Sequence, residues 1–113
     1  MKRYLNRLNQ ISKEWRTFTD SSFSDESEER KANETEKNKI KDLIFDIKKD
    51  QNLKEIEKDE LVEKSILHLA QSSGCVEDLE ISEKILDILE KESILNQKLV
   101  DLFYENTASG RWD

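Results

Sequence analysis

Residues 33–50 read NETEKNKIKDLIFDIKKD, and the apolar residues in this stretch decide the fold. They recur at intervals of three and four, which places them on one face of an α-helix. They are Ile40, Leu43, Ile44 and Ile47. Asn33, with Glu36 three residues later, is typical of a helix N-cap with a reciprocal side chain. We therefore predict a helix over about residues 34–50.

A second apolar stripe runs along the start of the chain. It predicts a helix over about residues 2–18, because its members again alternate spacings of four and three. They are Tyr4, Leu8, Ile11, Trp15 and Phe18. The stripe is short for a coiled coil, so we expect it to pack on the chain's own core, with a seam between two copies as the alternative.

The remainder of the chain predicts three more helices, at about residues 59–72, 78–91 and 93–105. Asp59 offers an N-cap for the first of these, and Ser72-Ser73-Gly74 offers a stop. We expect residues 19–33 to form a loop or solvated segment, since Phe23 and Ala32 are their only apolar residues, and residues 107–113 to form a C-terminal tail.

These elements predict an all-α fold, a compact bundle of about five helices in a single domain over residues 1–113. With no proline and two glycines, the chain lacks the turn residues of hairpin-rich proteins. Residues 63–67 and 83–86 weakly echo each other, which leaves a short HEAT-like helical-repeat stack as the alternative architecture.

Charge is unevenly distributed along the sequence. Residues 59–113 hold 13 carboxylates against 5 Lys or Arg, whereas residues 1–18 hold 5 Lys or Arg against 1 Glu. The net charge is −7, so the chain lacks the basic surface of a nucleic-acid-binding protein. We expect no direct nucleic-acid binding and expect the basic first helix to complement the acidic remainder.

Residues that could carry catalysis are few. His68 is the only histidine and lies between Leu67 and Leu69, a position typical of a boundary residue. Cys75 is the only cysteine, and its neighbours Glu77 and Asp78 disfavour a thiolate. No zinc-protease motif, calcium loop or glycine-rich phosphate loop occurs, so we expect no enzyme activity, no cofactor and no metal site.

The acidic residues on or beside the fourth predicted helix are the candidate partner-binding residues. They are Glu77, Asp78, Glu80, Glu83, Asp87 and Glu90. Arg111 and Trp112 join them, because Arg and Trp are enriched at interface hot spots. Trp112 either folds back on the domain or faces a partner.

We expect a cytoplasmic protein. No stretch approaches the roughly 18 to 20 apolar residues of a membrane span, and the first five residues lack the apolar core of a secretory signal. A single cysteine also fits a reducing compartment.

Together these features favour a small acidic inhibitor that binds a basic protein. The hypothesis is an immunity protein or antitoxin that neutralises a cognate nuclease-type bacterial toxin, and in size and composition the chain resembles small acidic bacterial immunity proteins. One alternative is a phage anti-defence protein or nucleic-acid mimic. Another is a non-catalytic helical adaptor or regulatory protein that homodimerises through its first helix. The expected partner is a toxin domain or defence protein rather than a membrane, and the chain itself a monomer or homodimer.

Overall fold

The computed structural model describes residues 2–19, 26–73 and 76–107, with side chains described for residues 2–15, 30–73 and 78–107. It contains five helices: α1 (Lys2–Thr19), α2 (Glu26–Lys49), α3 (Glu55–Gln71), α4 (Val76–Lys91) and α5 (Gln97–Asn106). Within these ranges there is no strand, which confirms the predicted all-α bundle. None of the described helices combines the length and the apolar composition that crossing a bilayer requires.

Helix α2 is the element around which the bundle is built. α1, α3 and α4 all pack against it, and α5 packs against α3. The apolar face predicted for this helix is confirmed, because Ile40, Leu43, Ile44 and Ile47 have no exposed surface. Burying one such side chain stabilises a fold by about 1.5–3 kcal/mol, so this face is a large part of the core.

The start of α2 differs from the prediction. The helix begins at Glu26, so residues 26–33 are helical, while residues 20–25 of the expected loop lie outside the described residues. The predicted N-cap at Asn33 is wrong: Asn33 is buried inside the helix, and its Oδ1 accepts a hydrogen bond of 2.9 Å from Trp15 Nε1. A polar residue occupies this buried position because a partner on α1 satisfies it.

Two other helices also start elsewhere than predicted. α3 begins at Glu55 and not at Asp59, and the Lys54 backbone N–H donates to Glu57 Oε1 at 3.2 Å. α5 begins at Gln97, after Asn96, whose Oδ1 accepts from the Leu99 backbone N–H at 2.9 Å. The apolar residues just before this cap, at 94 and 95, were predicted to be helical. They lie in the connection and pack partly buried against the core.

The connection from α4 begins with a Schellman motif. The Ile94 N–H bonds the Leu89 carbonyl at 2.9 Å, and the Ser93 N–H bonds the Glu90 carbonyl at 3.0 Å. Ser93 has φ of 60°, the left-handed conformation that glycine adopts without a steric penalty. A side chain at such a position costs about 1–2 kcal/mol.

Helix α1 packs into the core of its own chain. Tyr4, Leu8 and Ile11 are buried, whereas the side chain of Phe18 lies outside the described residues. Charged and polar contacts add to this packing along the length of α1. Arg3 pairs with Asp50 at 3.3 Å, Arg7 with Asp46 at 2.6 Å, and Glu14 with Lys39 at 2.8 Å. Arg3 and Arg7 of α1 therefore pair with carboxylates at the C-terminal end of α2 and just after it.

The Asp50 carboxylate is the centre of one of these contacts. Tyr4 Oη donates to Asp50 Oδ2 at 2.5 Å, and Arg3 Nη2 donates to the same tyrosine oxygen at 2.7 Å. The hydrogen bond from Tyr4, followed by that from the Asn52 backbone N–H, lowers the pKa of Asp50 below its ordinary value. The stabilisation from this ionised carboxylate is thus present above the pKa of an unfolded aspartate, about 3.9, and is lost as the pH falls through the lower folded value.

We predict that Tyr4→Phe destabilises the fold more at pH 7 than at pH 3. The substitution removes the main cause of the lowered Asp50 pKa, and this interaction no longer contributes once Asp50 is protonated in both states. Urea unfolding midpoints at the two pH values measure the difference. Asp50→Asn should show the same pH dependence, and an equal effect of Tyr4→Phe at both pH values would contradict the prediction.

We also predict that Ser93→Gly stabilises the protein by about 0.5–1 kcal/mol. Glycine removes the steric cost of the left-handed conformation, and part of that gain is offset by its greater freedom in the unfolded chain. Ser93→Ala is the matched control, since it keeps the Cβ atom and should not stabilise. Equal free energies of unfolding for the two variants would refute the strain at this position.

Candidate functional site

One side of helix α4 presents a row of carboxylates to solvent. Glu80, Glu83, Asp87 and Glu90 are exposed and lie at i, i+3, i+7 and i+10, on one face of the helix. We call these four residues the acidic face. None of the ion pairs between described residues involves these four carboxylates, and they outnumber Lys84 and Lys91, which are exposed on the same side of α4.

Asp78 and Glu77 stand apart from the acidic face. Asp78 is only 7% exposed, because it shares the inward side of α4 with Ser82, Ile85 and Leu89 at i+4, i+7 and i+11. Its Oδ1 atom is buried and has no hydrogen-bond partner among the described residues. The Glu77 side chain, with Arg111 and Trp112, lies outside the described residues.

Tyr104 is a residue of this surface that the sequence reasoning missed. It belongs to α5, is 43% exposed, and donates a hydrogen bond of 3.0 Å from its Oη to Glu83 Oε2. Partial burial, and then this hydrogen bond, raises the pKa of Tyr104. The apolar spacing of α5 places Phe103 inward, but no local pattern pairs Tyr104 with Glu83, because that contact depends on how α5 packs across the bundle.

A second group of ionisable residues lies inside the bundle where α2 meets α3. Lys37 has no exposed surface, and its Nζ donates to Glu36 Oε2 at 3.1 Å and to the Ser72 carbonyl at 3.2 Å. Glu36 is 3% exposed, and its Oε1 lies 3.2 Å from His68 Nε2, although the two atoms are not aligned as a hydrogen bond. We call Glu36 and Lys37 the buried charge cluster, and the partly exposed His68 lies beside it.

The contacts of the buried charge cluster fit a structural role. Its ammonium and carboxylate groups bond each other and the C-terminal end of α3, which fixes α3 against α2. The nearby Ser72 hydroxyl donates to the Leu69 carbonyl at 3.1 Å. No group of three or more His, Cys, Asp or Glu in the described part of the chain is arranged to hold a metal ion, and Cys75 lies outside it.

A groove of about 470 Å³ separates part of α1 from α2. Ile11, Trp15 and Ala32 supply its apolar walls, and the Glu14–Lys39 ion pair lies at its lining. The indole is held in place by its hydrogen bond to Asn33. The groove lies along α1 and α2, so it is separate from the acidic face on α4.

Comparison with protein-family models, curated proteins and solved structures finds no match to this chain. The described residues therefore place the protein in a class by architecture, as a small all-α bundle with an acidic helix face.

We predict that the two charges of the buried pair depend on each other. Lys37→Met should destabilise the fold by about 3 kcal/mol, because it leaves the Glu36 carboxylate buried without its ammonium partner. Adding Glu36→Gln to that variant should restore part of the loss, since the uncompensated charge is gone. Urea unfolding of both variants gives the comparison, and a double variant less stable than Lys37→Met would contradict it.

Proposed function

We propose that this protein is a small acidic inhibitor of a basic protein, of the immunity-protein or antitoxin kind, acting on a nuclease-type toxin. The observation that carries the proposal is the acidic face. Four exposed carboxylates, which outnumber the two lysines on the same side of α4 and form no ion pair among the described residues, attract a positively charged surface over distances beyond direct contact. The proposed interface consists of Glu80, Glu83, Asp87 and Glu90.

The anchoring of α4 supports a role in binding. Ile85, Leu86 and Leu89 are buried on its opposite side, so the helix presents its carboxylates from a packed scaffold. A preorganised surface loses little conformational entropy on binding, and this favours tight association. The carboxylates remain hydrated in the free protein, and the repulsion between neighbouring carboxylates on the helix is relieved when a cationic partner binds.

A nuclease is the class of partner that this surface suits best. Glu80 and Glu90 are ten residues apart, which is about 15 Å along a helix. The four carboxylates are roughly 5 Å apart along the axis, compared with about 3.4 Å between phosphates along one DNA strand, and Lys84 and Lys91 reduce the net negative charge of this side. A row of this density can occupy a cationic cleft built for a nucleic-acid backbone, and a phage-encoded mimic would use the same surface.

The adaptor hypothesis has less support. It depends on the apolar stripe of the first helix as a seam between two copies. Tyr4, Leu8 and Ile11 are buried inside their own chain, so residues 2–15 leave little of that stripe for a second copy. Binding through α4 leaves the buried packing of α1 unchanged.

The test is loss of binding on charge reversal at the acidic face. A basic protein captured from the source organism would be identified, purified and titrated with the wild-type chain and with the Glu80→Lys, Asp87→Lys double variant. We expect the double variant to bind at least about tenfold more weakly, because each new lysine repels the partner, and the wild-type affinity to fall with rising salt. Inhibition of the partner's nuclease activity should follow the same order.

The matched control reverses two carboxylates elsewhere. Asp42→Lys with Glu60→Lys makes the same change in net charge on exposed positions of α2 and α3. This control should bind and inhibit as the wild type does. Equal binding by the acidic-face variant, or equal loss in both variants, would refute the proposed interface.

A further inference from the structure

Tyr104 gives the acidic face an aromatic component. Most tyrosines bury much of their ring, yet Tyr104 is 43% exposed beside Glu83, on a surface otherwise made of charges. Tyrosine is among the residue types that carry most of the energy of protein interfaces. The exposed ring can therefore do more than support the fold.

The ring of Tyr104 is held in one orientation by two contacts. Its plane meets that of Phe103 at 83°, with ring centroids 5.1 Å apart, and Phe103 has no exposed surface. At its other end, the hydroxyl is bonded to Glu83. A side chain fixed in this way loses little rotational freedom when a partner binds.

Two carboxylates of α4 act on Tyr104. Glu83 accepts the tyrosine hydrogen bond, and the charge of Asp87, one turn further along the exposed side of α4, adds to the rise in the pKa of Tyr104. A π-system next to carboxylates matches the guanidinium group, which stacks on aromatic rings and forms paired hydrogen bonds to a carboxylate. The compact, strongly hydrated ammonium of lysine matches it less well.

We propose that Tyr104, Glu83 and Asp87 form an arginine subsite, which receives an arginine side chain of the basic partner and selects it over lysine. This inference rests on the proposed function, since it specifies which contact of the acidic face discriminates between cations. Glu80 and Glu90 contribute only general attraction. Tyr104 thus supplies the specificity that a row of carboxylates lacks.

Fluorescein-labelled octa-arginine and octa-lysine peptides test the subsite without knowledge of the partner. Binding of each peptide to the full chain is measured by fluorescence anisotropy at low salt. We expect octa-arginine to bind the wild type about three- to fivefold more tightly than octa-lysine, which is the size of an exposed cation–π contact. Tyr104→Ala should abolish this preference, and Tyr104→Phe, which keeps the ring, should retain most of it.

Two further variants complete the test. Tyr104→Leu keeps apolar packing on Phe103 but has no π-face, so it replaces Tyr104→Ala if circular dichroism shows that the alanine variant is unfolded. Glu80→Lys with Glu90→Lys changes the acidic face outside the subsite and should weaken both peptides to a similar extent.

The outcomes separate the two proposals. Equal binding of the two peptides by the wild type, or an unchanged preference in folded Tyr104→Ala or Tyr104→Leu, overturns the arginine subsite and leaves the acidic face as a general attractor. If Glu80→Lys with Glu90→Lys leaves both affinities unchanged, the acidic face itself fails, and the subsite fails with it.

Discussion

The constraint on which the structure depends is the burial of one face of α2. Three other helices pack on it, so its four fully buried aliphatic residues must be covered from several directions at once. Protein interiors are close-packed, so a change on this face would be felt by every neighbouring helix. The solvent-facing sides of the outer helices are not constrained in this way, so α4 can carry four exposed carboxylates alongside Lys84 and Lys91.

The buried face of α2 does not end where its apolar residues end. Asn33, Glu36 and Lys37 continue the same spacing toward the N-terminus, and all three are buried. Asn33 bonds Trp15 of α1, and Lys37 bonds Glu36 and the carbonyl of Ser72, which follows α3. Glu36 also lies beside His68 of α3. Sliding α3 along α2 would separate the Lys37 ammonium from the Ser72 carbonyl. The polar half of the face therefore fixes the position of α3 along α2, and the aliphatic half stabilises the packing of the two helices.

The sequence predicted the helices well wherever apolar spacing was regular, as at Ile40 to Ile47 and at Tyr4 to Ile11. It failed where polar residues occupied buried positions, because Asn33 and Glu36 matched the pattern of a helix N-cap and Asp78 was grouped with the carboxylates expected to bind a partner. The spacing of Asp78 with Ser82, Ile85 and Leu89 was visible and would have placed it inward. Tyr104 could not be assigned to the acidic face, because its contact with Glu83 depends on how α5 returns across the bundle, and no local pattern encodes that path.

The placement of α1 and α4 gives the uneven charge of the sequence a direction in space. Both helices pack on α2, and the main helix contacts of the described residues include none between them. On α1 the Arg3 and Arg7 guanidinium groups are ion-paired with Asp50 and Asp46, whereas the four carboxylates of the acidic face form no ion pair among the described residues. A cationic surface therefore attracts α4 more strongly than α1, and this difference turns α4 toward the surface. At physiological salt the Debye length is about 8 Å, so this alignment operates mainly in the last stage of approach, when it raises the fraction of collisions that arrive in a productive orientation.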